Sequence, residues 1–162
     1  MRIYTLGTGH RLKLDFIRIL VKYGIQVVLD VRRNPEAKED HFRRDGLQGL
    51  CSSQGIDYTY IGNELGGPRD GNLAAWAKTD EFKRWVDIIR KRLERRVYCV
   101  LCAEYSPETC HRRTITDELA RQGVEVVHLL DETTFWHPTP STRRPARPYR
   151  HHRGAPGRRN RP

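Results

Sequence analysis

No stretch of this chain approaches the ~20 consecutive apolar residues that a bilayer-spanning helix requires, so a membrane protein is not expected. Cysteine is scarce. Cys51, Cys99, Cys102 and Cys110 are too few and too clustered for the framework of a secreted disulfide scaffold, which points to a cytoplasmic protein with mostly reduced thiols. The glycine fingerprint of dinucleotide binding and the lysine-bearing phosphate loop are both missing, and Gly7-Thr8-Gly9 is only a fragment of such a pattern. The Cys-x5-Arg loop of thiol phosphatases and sulfurtransferases is missing too: position 108 is Glu and position 116 is Thr. No internal repeat is present.

Acidic residues are absent from 139–162, where eight of the 30 basic residues stand. The remaining 22 basic residues of 1–138 nearly balance the 20 acids, so +8 of the net charge of +10 belongs to the tail. That tail holds Arg143, Arg144, Arg147 and Arg150 among its cations, five prolines and almost no aliphatic residue. It cannot bury enough apolar surface to offset its chain entropy and reads as disordered. A polycationic arm of this kind attracts nucleic acid, DNA or RNA, in a salt-dependent way, or simply solubilises the chain. The expected organisation is therefore an α/β domain over 1–138 and an Arg/Pro-rich tail over 139–162.

Within 1–138, apolar runs alternate with helical spacing. Residues 2–6 read as a strand rather than a leader peptide, and Leu12, Phe16, Ile19, Leu20 and Tyr23 as a helix. Further strands are expected over 25–29, 58–61, 97–101 and 124–130. The stretch 37–54 reads as an interrupted helix, and 62–72 as a loop. Phe82, Trp85, Val86, Ile89 and Leu93 mark one strong helix, and Ile115 and Leu119 another that starts after the Ser106-Pro107 signal. This order predicts an α/β fold, a mostly parallel sheet of about five strands with helices on both faces. Right-handed crossovers then bring all strand C-termini to one edge, where ligands of such sheets bind.

That edge receives Thr8 and His10, Asp30 and Arg32, Glu64 with Gly66 and Gly67, and the dense run from Cys102 to Arg112. Asp30 and Glu104 are the carboxylate candidates for acid–base or nucleophilic work, because a carboxyl at the end of an apolar strand is easily perturbed. The plainer reading has Asp30 capping its turn or pairing with Arg32 or Arg112. Arg32 and Arg112 suit phosphate. Cys110, beside His111 and just past the first turn of a helix capped by Ser106, is a third catalytic candidate as a nucleophile. Thr8, His10, Arg32, Glu64, Gly66, Gly67, Cys102, His111 and Arg112 are the expected substrate-binding residues. Trp76 is free to act as a lid. Cys99 and Cys102 cannot form a zinc half-site, since on a strand they point to opposite faces. Cys102, Cys110 and His111 would make three ligands, and Cys102 and Cys110 could instead form a disulfide across the turn. No resident metal or other cofactor is expected, although phosphodiester chemistry at the two carboxylates would recruit Mg²⁺.

Taken together, Tyr4-Thr5-Leu6-Gly7-Thr8-Gly9-His10, Asp30-Val31-Arg32 with Pro35, Glu64-Leu65-Gly66-Gly67, Glu81-Phe82, and Cys102-Ala103-Glu104 with Cys110-His111-Arg112 resemble the domain of unknown function 488 family, from about residue 2 to 130. The first motif departs from the family's Gly-His-Ser/Thr order. The resemblance implies an α/β fold and a pocket edge with Asp30, Arg32, Glu64, Glu104, Cys110, His111 and Arg112 as motif residues, and it implies no particular reaction.

The function expected is an enzyme acting on nucleic acid or nucleotide. It would hydrolyse or transfer at a glycosidic or phosphoester bond, in the manner of a DNA glycosylase of DNA repair. Two rivals remain open: a non-catalytic nucleic-acid-binding protein, and a thiol-based redox or transfer protein using Cys110 and Cys102. The sequence does not bear on oligomeric state.

Overall fold

The computed structural model describes residues 1–108 and 110–138. The arginine-rich tail, with Arg143, Arg144, Arg147 and Arg150, lies outside the described residues. The chain runs β1 (Arg2–Gly7), α1 (Lys13–Lys22), β2 (Val27–Asp30), a 3-10 turn (Asp40–Phe42), α2 (Arg44–Ser52) and β3 (Asp57–Tyr60). It continues through two one-turn helices, α3 (Gly62–Leu65) and α4 (Leu73–Trp76), then α5 (Asp80–Arg92) and β4 (Tyr98–Cys102). It ends with α6 (His111–Arg121), β5 (Glu125–Leu129) and β6 (Phe135–Trp136). The sheet order is β3-β2-β4-β1-β5-β6, with β6 antiparallel to β5 and every other pairing parallel.

The central strands β2 and β4 are buried at every position, as their unbroken apolar runs require of a sheet covered on both sides. Side-chain alternation divides the core into two layers. On one face Phe16, Ile19 and Leu20 of α1 and Leu47 and Leu50 of α2 pack with Leu6, Val28, Cys99 and Leu101. On the other, Phe82, Val86 and Ile89 of α5 and Ile115 and Leu119 of α6 pack with Ile3, Leu29, Val100 and Cys102. Cys99 and Cys102 thus lie on opposite faces. Thr79 caps α5, its Oγ1 accepting the Phe82 N–H at 3.3 Å.

Adjacent strands β1 and β4 lead to helices on opposite faces, α1 and α6, which makes their C-terminal ends a topological switch point. Three details depart from the sequence reading. The antiparallel β6 is too short to show a period, and part of the 62–72 loop folds as α3. Helix α6 begins at His111 with Cys110 as its N-cap residue, and Ser106 does not cap it. Ser106 Oγ instead accepts the Glu108 N–H at 3.3 Å, closing a local turn. Among the described residues no helix is long and apolar enough to cross a membrane.

Candidate functional site

The strand ends meet closely. Thr8 N–H donates to Cys102 O and Gly9 N–H to Ala103 O, both at 2.8 Å, zipping the loop after β1 to the loop after β4. A side chain at Gly7 would stand 1.8 Å from the Glu104 carbonyl oxygen, so only glycine permits that approach. Beside this seam lies a groove of about 500 Å³ lined by Thr8, His10, Arg32, Phe42, Glu104 and Tyr105, among others. The structure therefore brings Thr8, His10, Arg32 and Glu104 to one groove. His10 and Glu104 are exposed there, and the Glu104 carboxylate is in none of the ion pairs among the described residues.

Asp30 faces the α1–α2 side and is fully buried, with Arg32 only 3% exposed. Its oxygens accept the Arg32 backbone N–H at 3.0 Å, Arg32 Nε at 2.9 Å, Arg32 Nη2 at 2.6 Å and the Tyr58 hydroxyl at 2.6 Å. Arg32 Nη1 donates to Phe42 O at 2.7 Å. Burial, then the hydrogen bond to Asp30, pushes the Tyr58 hydroxyl well above its ordinary range. For Arg32 burial opposes the charge, but the bond to Asp30 outweighs it and the net shift is upward. Each carboxylate oxygen is thus committed to neighbouring donors, and the Arg32 guanidinium to neighbouring oxygens. Asp30 pairs with Arg32, the plainer of the readings its sequence position allowed.

The opposite face carries the thiols. Cys102 ends β4 and Cys110 precedes α6; both are free and 3% exposed, with their sulfurs 2.8 Å apart. His111 Nδ1 lies 3.8 Å from Cys102 Sγ and 4.0 Å from Cys110 Sγ. Its Nε2 is 2.8 Å from the Val31 carbonyl, an acceptor, so Nε2 carries the proton and Nδ1 turns its lone pair to the sulfurs. The hydrogen bond from the Cys110 thiol, followed by His111, holds the Cys102 thiol below its ordinary range. Cys110 moves up instead, because it is the proton-bearing partner and is buried. Burial disfavours the charged His111 ring, but contact with the Cys102 thiolate carries its net shift upward. Gly67, at φ +82°, lets the 66–67 loop lie on the imidazole: a Cβ there would be 3.3 Å from His111 Cβ. Gly66 packs against Arg33, and Glu64 sits half-buried on α3. Trp76 packs edge-on against Phe82, ring centroids 4.6 Å apart, and its ring also lies 6.5 Å from that of His111.

Arg112 is fully buried, and its Nη1 and Nη2 donate to the Glu104 and Tyr105 carbonyls. It braces the turn between the two cysteines and presents no open fork to the groove. Its Nε has no hydrogen-bond partner among the described residues. The same holds for Nε2 of the equally buried His128, whose Nδ1 meets Thr5 Oγ1 at 2.7 Å. Burial, then the Arg112 charge, pulls His128 down to about 3. Tyr58, Thr5 and His128 were not among the expected site residues. The signal for the last two was a polar residue inside an otherwise apolar strand run.

The sequence pattern of one family, described as Domain of unknown function DUF488, matches residues 14–119, more than half of the chain. The chain belongs to this family. Among curated proteins and among solved structures no match was found. The family is described only as a domain of unknown function, so the chemistry is argued from the geometry.

Proposed function

We propose that this chain is a dithiol redox protein in which Cys102 and Cys110 cycle between free thiols and a disulfide. The observation that carries the reading is the direct contact of the two sulfurs, 2.8 Å apart at a strand-to-helix turn. Their burial favours a small oxidant such as a hydroperoxide over a protein disulfide. Cys102 passes its thiol proton to the His111 Nδ1 lone pair, and the resulting thiolate attacks one peroxide oxygen; the S–O bond forms, the O–O bond breaks, and the leaving oxygen takes that proton back from Nδ1. The Cys110 thiol then attacks the Cys102 sulfenic sulfur, and its proton leaves with the hydroxyl as water. Two electrons pass from the sulfur pair to the peroxide, and an external dithiol returns them.

Treating the reduced full chain with one equivalent of hydrogen peroxide tests this. Two of its four thiols should become unavailable to alkylation, the mass should fall by two hydrogens, and a peptide linking Cys102 to Cys110 should appear. Cys102→Ser and Cys110→Ser should each prevent the link. Four thiols that stay alkylatable, or oxidation at Cys51 or Cys99 instead, would reject the reading.

A second reading keeps the nucleic-acid enzyme. What supports it is the groove itself, whose size of about 500 Å³ lies inside the ~300–1,000 Å³ typical of small-ligand sites and accommodates a nucleobase. Of the expected carboxylates only Glu104 is open to this groove. The test is cleavage of damaged and undamaged oligonucleotides with and without Mg²⁺. Any turnover found should be lost in Glu104→Gln, and turnover that survives the change removes this reading.

A further inference from the structure

We propose that the reduced Cys102–Cys110–His111 cluster binds a thiophilic divalent cation, and that its donor set suits Zn²⁺. The inference rests on the two sulfurs being free thiols, the state from which the redox reading starts.

The two sulfurs and a ring nitrogen of His111 all lie within 4.8 Å of one another. With Zn–S near 2.3 Å and Zn–N near 2.0–2.1 Å, one ion reaches donors that are up to about 4.6 Å apart, so the cluster is the right size. Its composition, two thiolates and an imidazole without a carboxylate, selects a borderline-soft ion over Mg²⁺. The imidazole is already set for ligation. Its Nε2–H is held by the Val31 carbonyl, which leaves Nδ1 as the donor and supplies the outer hydrogen bond that ligating histidines require. The donors stand on rigid elements, the end of β4 and the start of α6, and Arg112 braces the turn between them. Three protein ligands leave one tetrahedral position for water or a further donor.

Two thiolates on a tetrahedral zinc ion stand about 3.8 Å apart, so the sulfurs, now at 2.8 Å, separate by roughly 1 Å as the ion enters. Closing a disulfide moves them the other way. Metal binding and disulfide formation are therefore mutually exclusive outcomes of one pair of side chains. Oxidation expels the ion, and the ion protects the thiols.

The test uses the full chain, reduced and stripped of metal, titrated with Co²⁺ and then Zn²⁺. One equivalent of Co²⁺ should produce thiolate-to-cobalt charge-transfer absorption that Zn²⁺ abolishes, and bound Zn²⁺ should shield Cys102 and Cys110 from alkylation. His111→Ala should weaken Co²⁺ binding at least about tenfold, and Cys102→Ser and Cys110→Ser should lose the absorption. Circular dichroism shows that each variant is folded, and the equally buried Cys51→Ser should keep the band. A folded wild-type chain without the band, or a band untouched by His111→Ala, would overturn the site. Protein that binds no Co²⁺ yet closes the Cys102–Cys110 bond with peroxide overturns the metal site and leaves the redox reading standing. Binding of Co²⁺ by protein that never forms the disulfide supports the metal site and removes the redox reading.

Discussion

The Asp30 and Cys102 sites, on opposite faces of the sheet, treat their buried polar groups in opposite ways, even though His41 Nε2 on the Asp30 side also lacks a partner among the described residues. Under α1 and α2, Asp30, Arg32 and Tyr58 form a closed set: the carboxylate accepts bonds from both partners, and Arg32 Nη1 reaches the Phe42 carbonyl. Under α5 and α6, Arg112 Nε and His128 Nε2 lack partners among the described residues, and two thiols share a turn with an imidazole lone pair. A closed network holds a fold in one arrangement, because every group in it loses something when it moves. Groups with bonds left to make are the ones available for a ligand or a reaction. On this contrast the thiol face, rather than the expected carboxylate pair, is the better candidate for chemistry, although both stand at the edge where the strands end.

The largest expected effect tests the closed face. Asp30→Asn leaves Arg32 buried without its counter-charge, and breaking such a pair costs about 3–5 kcal/mol. Urea unfolding should show a loss of that size. Tyr58→Phe removes one hydrogen bond to the same carboxylate and should cost only ~1–2 kcal/mol. An Asp30→Asn variant as stable as the parent would mean that the pair is not structural, and would return Asp30 to the list of catalytic candidates.

The open face should show itself in acid. His128 is neutral when folded, with its titration held down to about 3, while the unfolded chain protonates near 6.5. Between those values the unfolded state binds the extra proton, so its share of the stability is complete above pH ~6.5 and falls as pH drops, by at most about 1.4 kcal/mol per unit. Thermal melts of wild type and His128→Gln from pH 7 to pH 4 should converge toward low pH. Parallel curves would place the acid sensitivity elsewhere.

The sequence showed the sheet, its two helix layers and the rim, because unbroken apolar runs and 3.6-residue spacing are local signals. It also placed Asp30 beside Arg32 and Cys110 beside His111. What it could not show was which side chains spend their bonds on each other. Arg32 and Arg112 looked alike as phosphate ligands, but one closes on Asp30 and the other on two carbonyls across a turn. The start of α6 was also misplaced. Ser106 and Pro107 are a sound local helix signal, and it is overridden where Arg112 draws the Glu104 and Tyr105 carbonyls inward. The polar Thr5 and His128 face each other from neighbouring strands, a register that only the folded sheet reveals.

The smallest effect separates backbone strain from a contact with the thiol site. Gly67 and Gly24 both have positive φ, +82° and +61°, where a side chain is disfavoured by ~1 kcal/mol. A Cβ at Gly24 meets nothing within 4 Å, whereas one at Gly67 comes within 3.3 Å of His111 Cβ. Gly24→Ala therefore reports the strain alone, and Gly67→Ala the strain plus a push on the imidazole. Subtracting the two in matched thermal melts should leave a few tenths of a kcal/mol for the contact. The peroxide-driven closure of Cys102 and Cys110 should slow in Gly67→Ala and not in Gly24→Ala, since only the first shifts Nδ1 relative to the sulfurs. Equal rates in both would mean that the glycine loop merely passes the imidazole and does not position it.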